Sequence, residues 1–198
     1  MMTDAPSKGE LAGNAEVGAR LRGIRKARRM TLKQVSEATG LAVSTLSKAE
    51  LGQTALSYAK FARLAQALGV DMTALFVVGG EKVPDTQPVV LKNSLEDVQH
   101  YTTSNYDYSL IFGEYPGKRM KPMVARIEAR DMSEFDDYIR HAGQEFAVVL
   151  SGKIRIEFES GDSVVLARHE TAYFNSGVGH VYLSLSRQPA QVLVVCCD

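Results

Sequence analysis

The sequence predicts a chain of two domains, all-α in front and all-β behind, and three observations carry that reading. Apolar residues recur at three- and four-residue spacing from Val17 to Phe76. In the back half the period shortens to two. Between them VVGGEKVPDTQPVVLK, at 77–92, keeps neither period and carries a glycine pair and two prolines. With 198 residues the chain has length enough for two small cores.

Residues 1–15, MMTDAPSKGELAGNA, mix small, polar and breaker residues without periodicity and are expected to form a disordered arm. The helical domain is expected over 16–77. Val17, Leu21, Ile24 and Ala27 share one helix face, then Leu32, Val35 and Ala38, then Leu46 and Ala49, then Phe61, Leu64, Ala65 and Leu68. Thr31 is placed to start a helix, Gly40 to end it in a left-handed conformation, and Ser44 to cap the next. A linker is expected over 78–99. From 100 to 198, Met123, Ala125 and Ile127 alternate with Val124, Arg126 and Glu128, and Ile154, Ile156 and Phe158 with Lys153, Arg155 and Glu157. Turn signals at Pro116-Gly117, Ser151-Gly152, Ser160-Gly161 and Ser176-Gly177 cut this part into the short strands of a barrel or sandwich.

The net charge is zero, but residues 1–80 carry eleven Lys and Arg against six Asp and Glu, and the remainder twelve against seventeen. A basic front and an acidic back point to two tasks. No run approaches the ~20 apolar residues of a membrane span, and the N-terminus lacks the apolar core of a secretory signal, so a cytoplasmic protein without membrane contact is expected. The two cysteines, Cys196 and Cys197, are adjacent and follow Val192–Val195. By themselves they build neither a disulfide framework nor a zinc site, and they read as the end of a buried strand.

Two short helices joined by a tight turn can lay the second in a DNA major groove, and TLKQVSEATGLAVSTLSKAELG at 31–52 has that form. With the basic stretch Arg20–Arg29 before it and FARLAQALGVD at 61–71 after it, ending in Ala74-Leu75-Phe76, the front half resembles the XRE family of phage-repressor-like helix-turn-helix regulators. The resemblance implies a five-helix repressor-like domain whose reader helix is Val43–Glu50. Val43, Ser44, Thr45 and Lys48 would then meet base edges, and Ser47 would lie nearer the backbone. The chemistry agrees: a Val or Thr methyl suits the thymine methyl, Ser bonds either way, and Lys suits guanine. Arg20, Arg28, Arg29 and Lys33 are expected to contact phosphates, which supply affinity without sequence information. Arg25 would pair with Glu50 in a structural role. Ala49 and Leu51 depart from the usual pattern.

In the back half, QEFAVVLSG at 144–152, HETAYFNS at 169–176 and GHVY at 179–182 resemble the two motifs of the cupin family, small double-stranded β-helix barrels. The order of the two halves is that of the HTH–cupin regulators. Carried over residue by residue, the family's metal ligands fall on His141, Glu145 and His180, while its first histidine falls on Ile139. Two histidines and a carboxylate can still hold zinc or ferrous iron. The reading placed first is a metal-free polar pocket, with no cofactor required, in which His141, Glu145, His180, Tyr173 and Tyr182 bind a small effector. The acidic run at 131–137 reads as a solvated loop.

The expected function is a sequence-specific transcriptional regulator, not an enzyme. A homodimer would bind a two-fold symmetric double-stranded operator under control of an effector in the barrel. The alternative is a metal-dependent cupin enzyme, of dioxygenase or isomerase type, with the front domain as a tether.

Overall fold

The computed structural model describes residues 14–70, 75, 90–113, 115 and 118–197. The expected arm at 1–15 falls mostly outside these; its last two residues, Asn14 and Ala15, already belong to a helix. Most of the expected linker, the Pro116-Gly117 turn and nearly all of the segment that would form a fifth helix also lie outside. The described residues hold four α-helices: α1 Asn14–Ala27, α2 Leu32–Thr39, α3 Val43–Glu50 and α4 Tyr58–Leu68. The count of five is therefore not reached among them, although Leu75 is fully buried against the same core.

The boundaries follow from local chemistry. Thr31 and Gln34 cap each other's backbone at the start of α2, and Gly40, at φ +72°, ends it. Ser44 does not cap α3. Ala42 holds that position with no side-chain bond, and Ser44 lies inside the first turn. Val17, Leu21, Val35, Leu46, Leu64 and Leu68 make the helical core. α1 crosses the end of α3 at very short range. A Cβ on Gly18 would stand 2.3 Å from the Ala49 carbonyl oxygen, so only glycine fits there.

Among the described residues the barrel contains nine antiparallel strands: β1 Gln99–Thr102, β2 Tyr106–Leu110, β3 Met120–Ile127, β4 Gln144–Ser151, β5 Lys153–Phe158, β6 Ser163–Ala167, β7 Thr171–Asn175, β8 His180–Ser184 and β9 Ala190–Cys197. They form a six-stranded sheet in the order β1-β2-β3-β9-β4-β7 and a three-stranded sheet in the order β6-β5-β8. β1 begins one residue earlier than the expected domain start. The alternation seen in the sequence points Met123, Ala125, Ile127, Ile154 and Ile156 into the core. Gly152, at φ +81°, makes the sharp turn from β4 into β5.

Among the described residues, Tyr101 and Asp136 join barrel to helices. The Tyr101 hydroxyl on β1 donates to the Leu56 carbonyl, and its ring meets Phe61 of α4 edge to face at 5.0 Å. Nearer the surface, Lys60 Nζ lies 3.1 Å from Asp136 Oδ2. No helix among the described residues is long and apolar enough to cross a membrane.

Candidate functional site

Two surfaces carry chemistry. The first is α3. Its buried side, Leu46, Ala49 and Glu50, is set by the core, which leaves Val43 (44% exposed), Ser44 and Lys48 facing out and Thr45 and Ser47 half-buried. Glu50 fixes the far end of the helix. Arg25 Nε and Nη2 donate to its two carboxylate oxygens at 2.5 and 2.7 Å, and Arg25 Nη1 donates to the Met30 carbonyl at 2.9 Å. A bidentate pair of this kind sets angle as well as distance. Of the expected phosphate contacts, Arg29 and Lys33 are exposed and Arg20 is half-buried. Arg28 is exposed as well, but one of its N–H groups donates to the Gly69 carbonyl at 2.9 Å, tying the end of α1 to the end of α4.

The second surface lines the inside of the barrel. β4 turns Glu145 inward, 3% exposed, and the register places it opposite Cys196 of β9 on one side and Phe174 of β7 on the other. His141 stands on the loop before β4, with Nε2 at 2.8 Å from Glu145 Oε2. His180 opens β8 with Nε2 at 3.6 Å from the same oxygen, and an isolated bridge pairs its backbone with Ile139. Tyr182 lies two residues along β8 on the same face and donates to Glu145 Oε1. The Tyr182 backbone N–H donates to the Tyr106 hydroxyl at 2.8 Å, which ties the two sheets together behind the site. Cys196 Sγ is 3.5 Å from Glu145 Oε2 and 3.9 Å from His141 Nε2. About 350 Å³ of empty space opens over these groups, floored by Met123, Ile127 and Val194 and walled by Tyr106 and Tyr108. Most of that is the open mouth; the enclosed part is about 30 Å³, room for an ion or a water or two.

Four of the five expected pocket residues, His141, Glu145, His180 and Tyr182, are thus brought together. Tyr173 is not among them: it is 66% exposed on the outer face of β7, where its hydroxyl donates to Gln144. The pairing of Phe174 with Glu145 fixes that parity and sends the neighbouring Tyr173 out. The residue missed is Cys196. Its burial was expected, but the buried face of β9 is the pocket wall. Val192–Cys197 is apolar throughout, so nothing in the strand's own sequence chooses between the two thiols; the observed burial of Val192, Val194 and Cys196 puts Cys196 inside. Most of the acidic run is spent locally, Asp131 and Glu134 capping a 3₁₀ turn at Met132–Glu134 and Asp137 pairing with Arg140, while Asp136 reaches Lys60 of α4.

Burial alone would push the Glu145 carboxyl up. Hydrogen bonds from His141 and His180, and their charge, outweigh it and hold the group well below the ordinary carboxylate value of 4.5. Burial, with the Glu145 charge adding to it, pushes the Tyr182 hydroxyl well above its ordinary range, so it remains a donor. A carboxylate lowered by folding stabilises the native state above its unfolded pKa and loses that contribution as pH falls towards the lowered value. The melting temperature of wild type should therefore exceed that of Glu145→Gln most above about pH 5, with the gap closing on acidification below the free carboxylate range. A gap that stays constant from neutral to acid pH would contradict the assignment.

Residues 21–75 match the family model of the helix-turn-helix, and residues 127–196 match that of the cupin domain. Among solved structures, an HTH_3 family transcriptional regulator from Vibrio cholerae is 17% identical, aligned over 94% of this chain and 97% of its own, with a TM-score of 0.64. The structure of Fe(II) HppE is 18% identical over 93% of this chain and 99% of its own, with a TM-score of 0.50. At these identities the likeness is one of fold. No curated protein matches the chain. The chain thus carries, in this order, a match to the helix-turn-helix model over 21–75 and a match to the cupin model over 127–196.

Proposed function

We propose that the protein is a sequence-specific, DNA-binding transcriptional regulator whose affinity for its operator is modulated by a small ligand in the barrel. The observation that carries this reading is α3: a helix held at its far end by a bidentate ion pair, presenting Val43, Ser44 and Lys48 outward from a basic domain. The Vibrio cholerae structure, of a transcriptional regulator, aligns with nearly the whole chain and supports the same reading. One such helix spans few base pairs, so a homodimer on two half-sites about 34 Å apart is the form in which useful affinity is reached. Modulation requires the ligand to favour one placement of the helices. Tyr106 and Tyr108 of the pocket wall stand on β2, which pairs with β1, and β1 carries the Tyr101 contact to the helices.

The test is selection of a preferred duplex from a random pool with the full chain, followed by binding at two salt concentrations. Lys48→Ala should weaken binding to the selected site by about 10- to 100-fold. It should weaken random-sequence binding far less. Failure of any preferred sequence to emerge, or binding indifferent to salt, would sink the reading. The catalytic alternative draws on the cluster of His141, Glu145 and Cys196 and on the fold shared with Fe(II) HppE. It requires a coordination position open to substrate.

A further inference from the structure

We propose that the barrel's ligand is a borderline-soft divalent metal ion, zinc foremost, held by His141, Glu145, Cys196 and His180, with the Cys196 thiolate standing in for the histidine that the cupin resemblance loses at Ile139. The inference rests on the sensor reading above, and makes the ion itself the effector.

The first support is an excess of acceptors. His180 Nδ1 lies 2.9 Å from the Val178 carbonyl oxygen and His141 Nδ1 lies 3.3 Å from that of Ala142. A carbonyl can only accept, so each ring carries its proton on Nδ1, and Nε2 presents a lone pair unless the ring is protonated twice. Both Nε2 atoms face Glu145 Oε2, itself an acceptor. When the rings are neutral, those lone pairs and the carboxylate are arranged to share a cation, and a backbone-anchored Nδ1–H is the arrangement that orients a ligating histidine.

Spacing is the second support. The ligand atoms of His141, Glu145 and Cys196 all lie within 4.8 Å of one another. Zinc–donor bonds of about 2.0–2.3 Å place tetrahedral donors about 3.3–3.6 Å apart. Cys196 Sγ to Glu145 Oε2 is 3.5 Å, His180 Nε2 to the same oxygen 3.6 Å, and Cys196 Sγ to His141 Nε2 3.9 Å. The 2.8 Å approach of His141 Nε2 to Glu145 Oε2 must widen on binding.

The donor set supplies the third. An imidazole, a carboxylate and a thiolate select zinc over magnesium or calcium, and His180, with Nε2 3.6 Å from Glu145 Oε2 but outside that mutually close set, completes the four by moving towards the ion. Binding releases the Cys196 thiol proton to solvent.

Cobalt(II) added to the full chain reports the ligands directly. The expected result is one equivalent bound, with a thiolate-to-cobalt charge-transfer band in the near ultraviolet and visible bands of four-coordinate intensity. The chain has only two cysteines, so the band must persist in Cys197→Ser. It should vanish in Cys196→Ser, with zinc affinity reduced by about 10- to 100-fold or more. Since Cys197→Ser leaves one thiol, its spectrum decides even if Cys196→Ser fails to fold. Absence of the band in that variant, or its survival in Cys196→Ser, overturns the site. If zinc binds but leaves affinity for the selected duplex unchanged, the ion is not the effector. Whether the zinc-free protein binds that duplex judges the regulator reading separately.

Discussion

Glu50→Ala should unfold the helical domain and leave the barrel folded. Glu50 and Arg25 have side chains only 7% and 12% exposed, and each is the other's bidentate partner. Removing the carboxylate strands a guanidinium in a place made for an ion pair, a loss of about 3–5 kcal/mol. Whole domains are stable by about 5–15 kcal/mol, and one of this size sits near the bottom of that range. Far-ultraviolet dichroism should lose its helical component at a much lower temperature than wild type, while the near-ultraviolet signal of the barrel tyrosines melts as before. DNA binding should disappear with the helices. The double variant Arg25→Met/Glu50→Leu removes both charges together and should recover most of the stability. If Glu50→Ala melts like wild type, the pair is ornamental and α3 is held by its apolar side alone.

Alanine at Gly18 should cost about 3 kcal/mol, while alanine at Gly23, one and a half turns further along the same helix, should gain up to about 1 kcal/mol. Intrinsic propensity favours alanine at both positions, so the difference isolates the packing. At Gly18 the added carbon would meet the Ala49 carbonyl oxygen at 2.3 Å, the Gly52 nitrogen at 2.9 Å and the Glu50 carbonyl carbon at 3.0 Å, all of them backbone that cannot swing aside. At Gly23 nothing lies within 4 Å. Chemical denaturation of the two variants is sufficient. Opposite signs are expected, and equal effects would mean that α1 and α3 are less tightly seated than described.

Much of the helical half was legible because its determinants are local. Thr31, Gly40 and the apolar spacing act within a few residues of themselves, and the pairing of Arg25 with Glu50 came with the ordered pattern of the family. Ser44 reads as a cap because the residue type is right, but the helix starts two residues earlier, with Ala42 at the cap, and that decides its role. The barrel was legible as a fold and less so as a site. His141, Glu145, His180 and Tyr182 lie within or beside recognisable motifs. Tyr173 and Cys196 depend on which residue of a neighbouring strand each one faces, and register between strands distant in sequence is not written in either strand alone. One fixed pairing, Glu145 with Cys196, would have decided the thiol's side, and the next, Glu145 with Phe174, the tyrosine's.

Tyr101 has a consequence for anyone who would rebuild this protein. By chain order it belongs to the barrel, yet its ring and hydroxyl are spent on Phe61 and Leu56. The seam between the domains therefore runs along β1 and not through the stretch rich in glycine and proline. A chimera cut at that stretch would take from the helices a side chain they bury against. One that keeps Gln99–Thr102 with the helices would leave Tyr106 and Tyr108 without the strand they pair beside. A cut after β2 fares no better, since β2 pairs with β3 along its whole length and Tyr106 bonds to Tyr182, so helices and barrel are best exchanged as one piece.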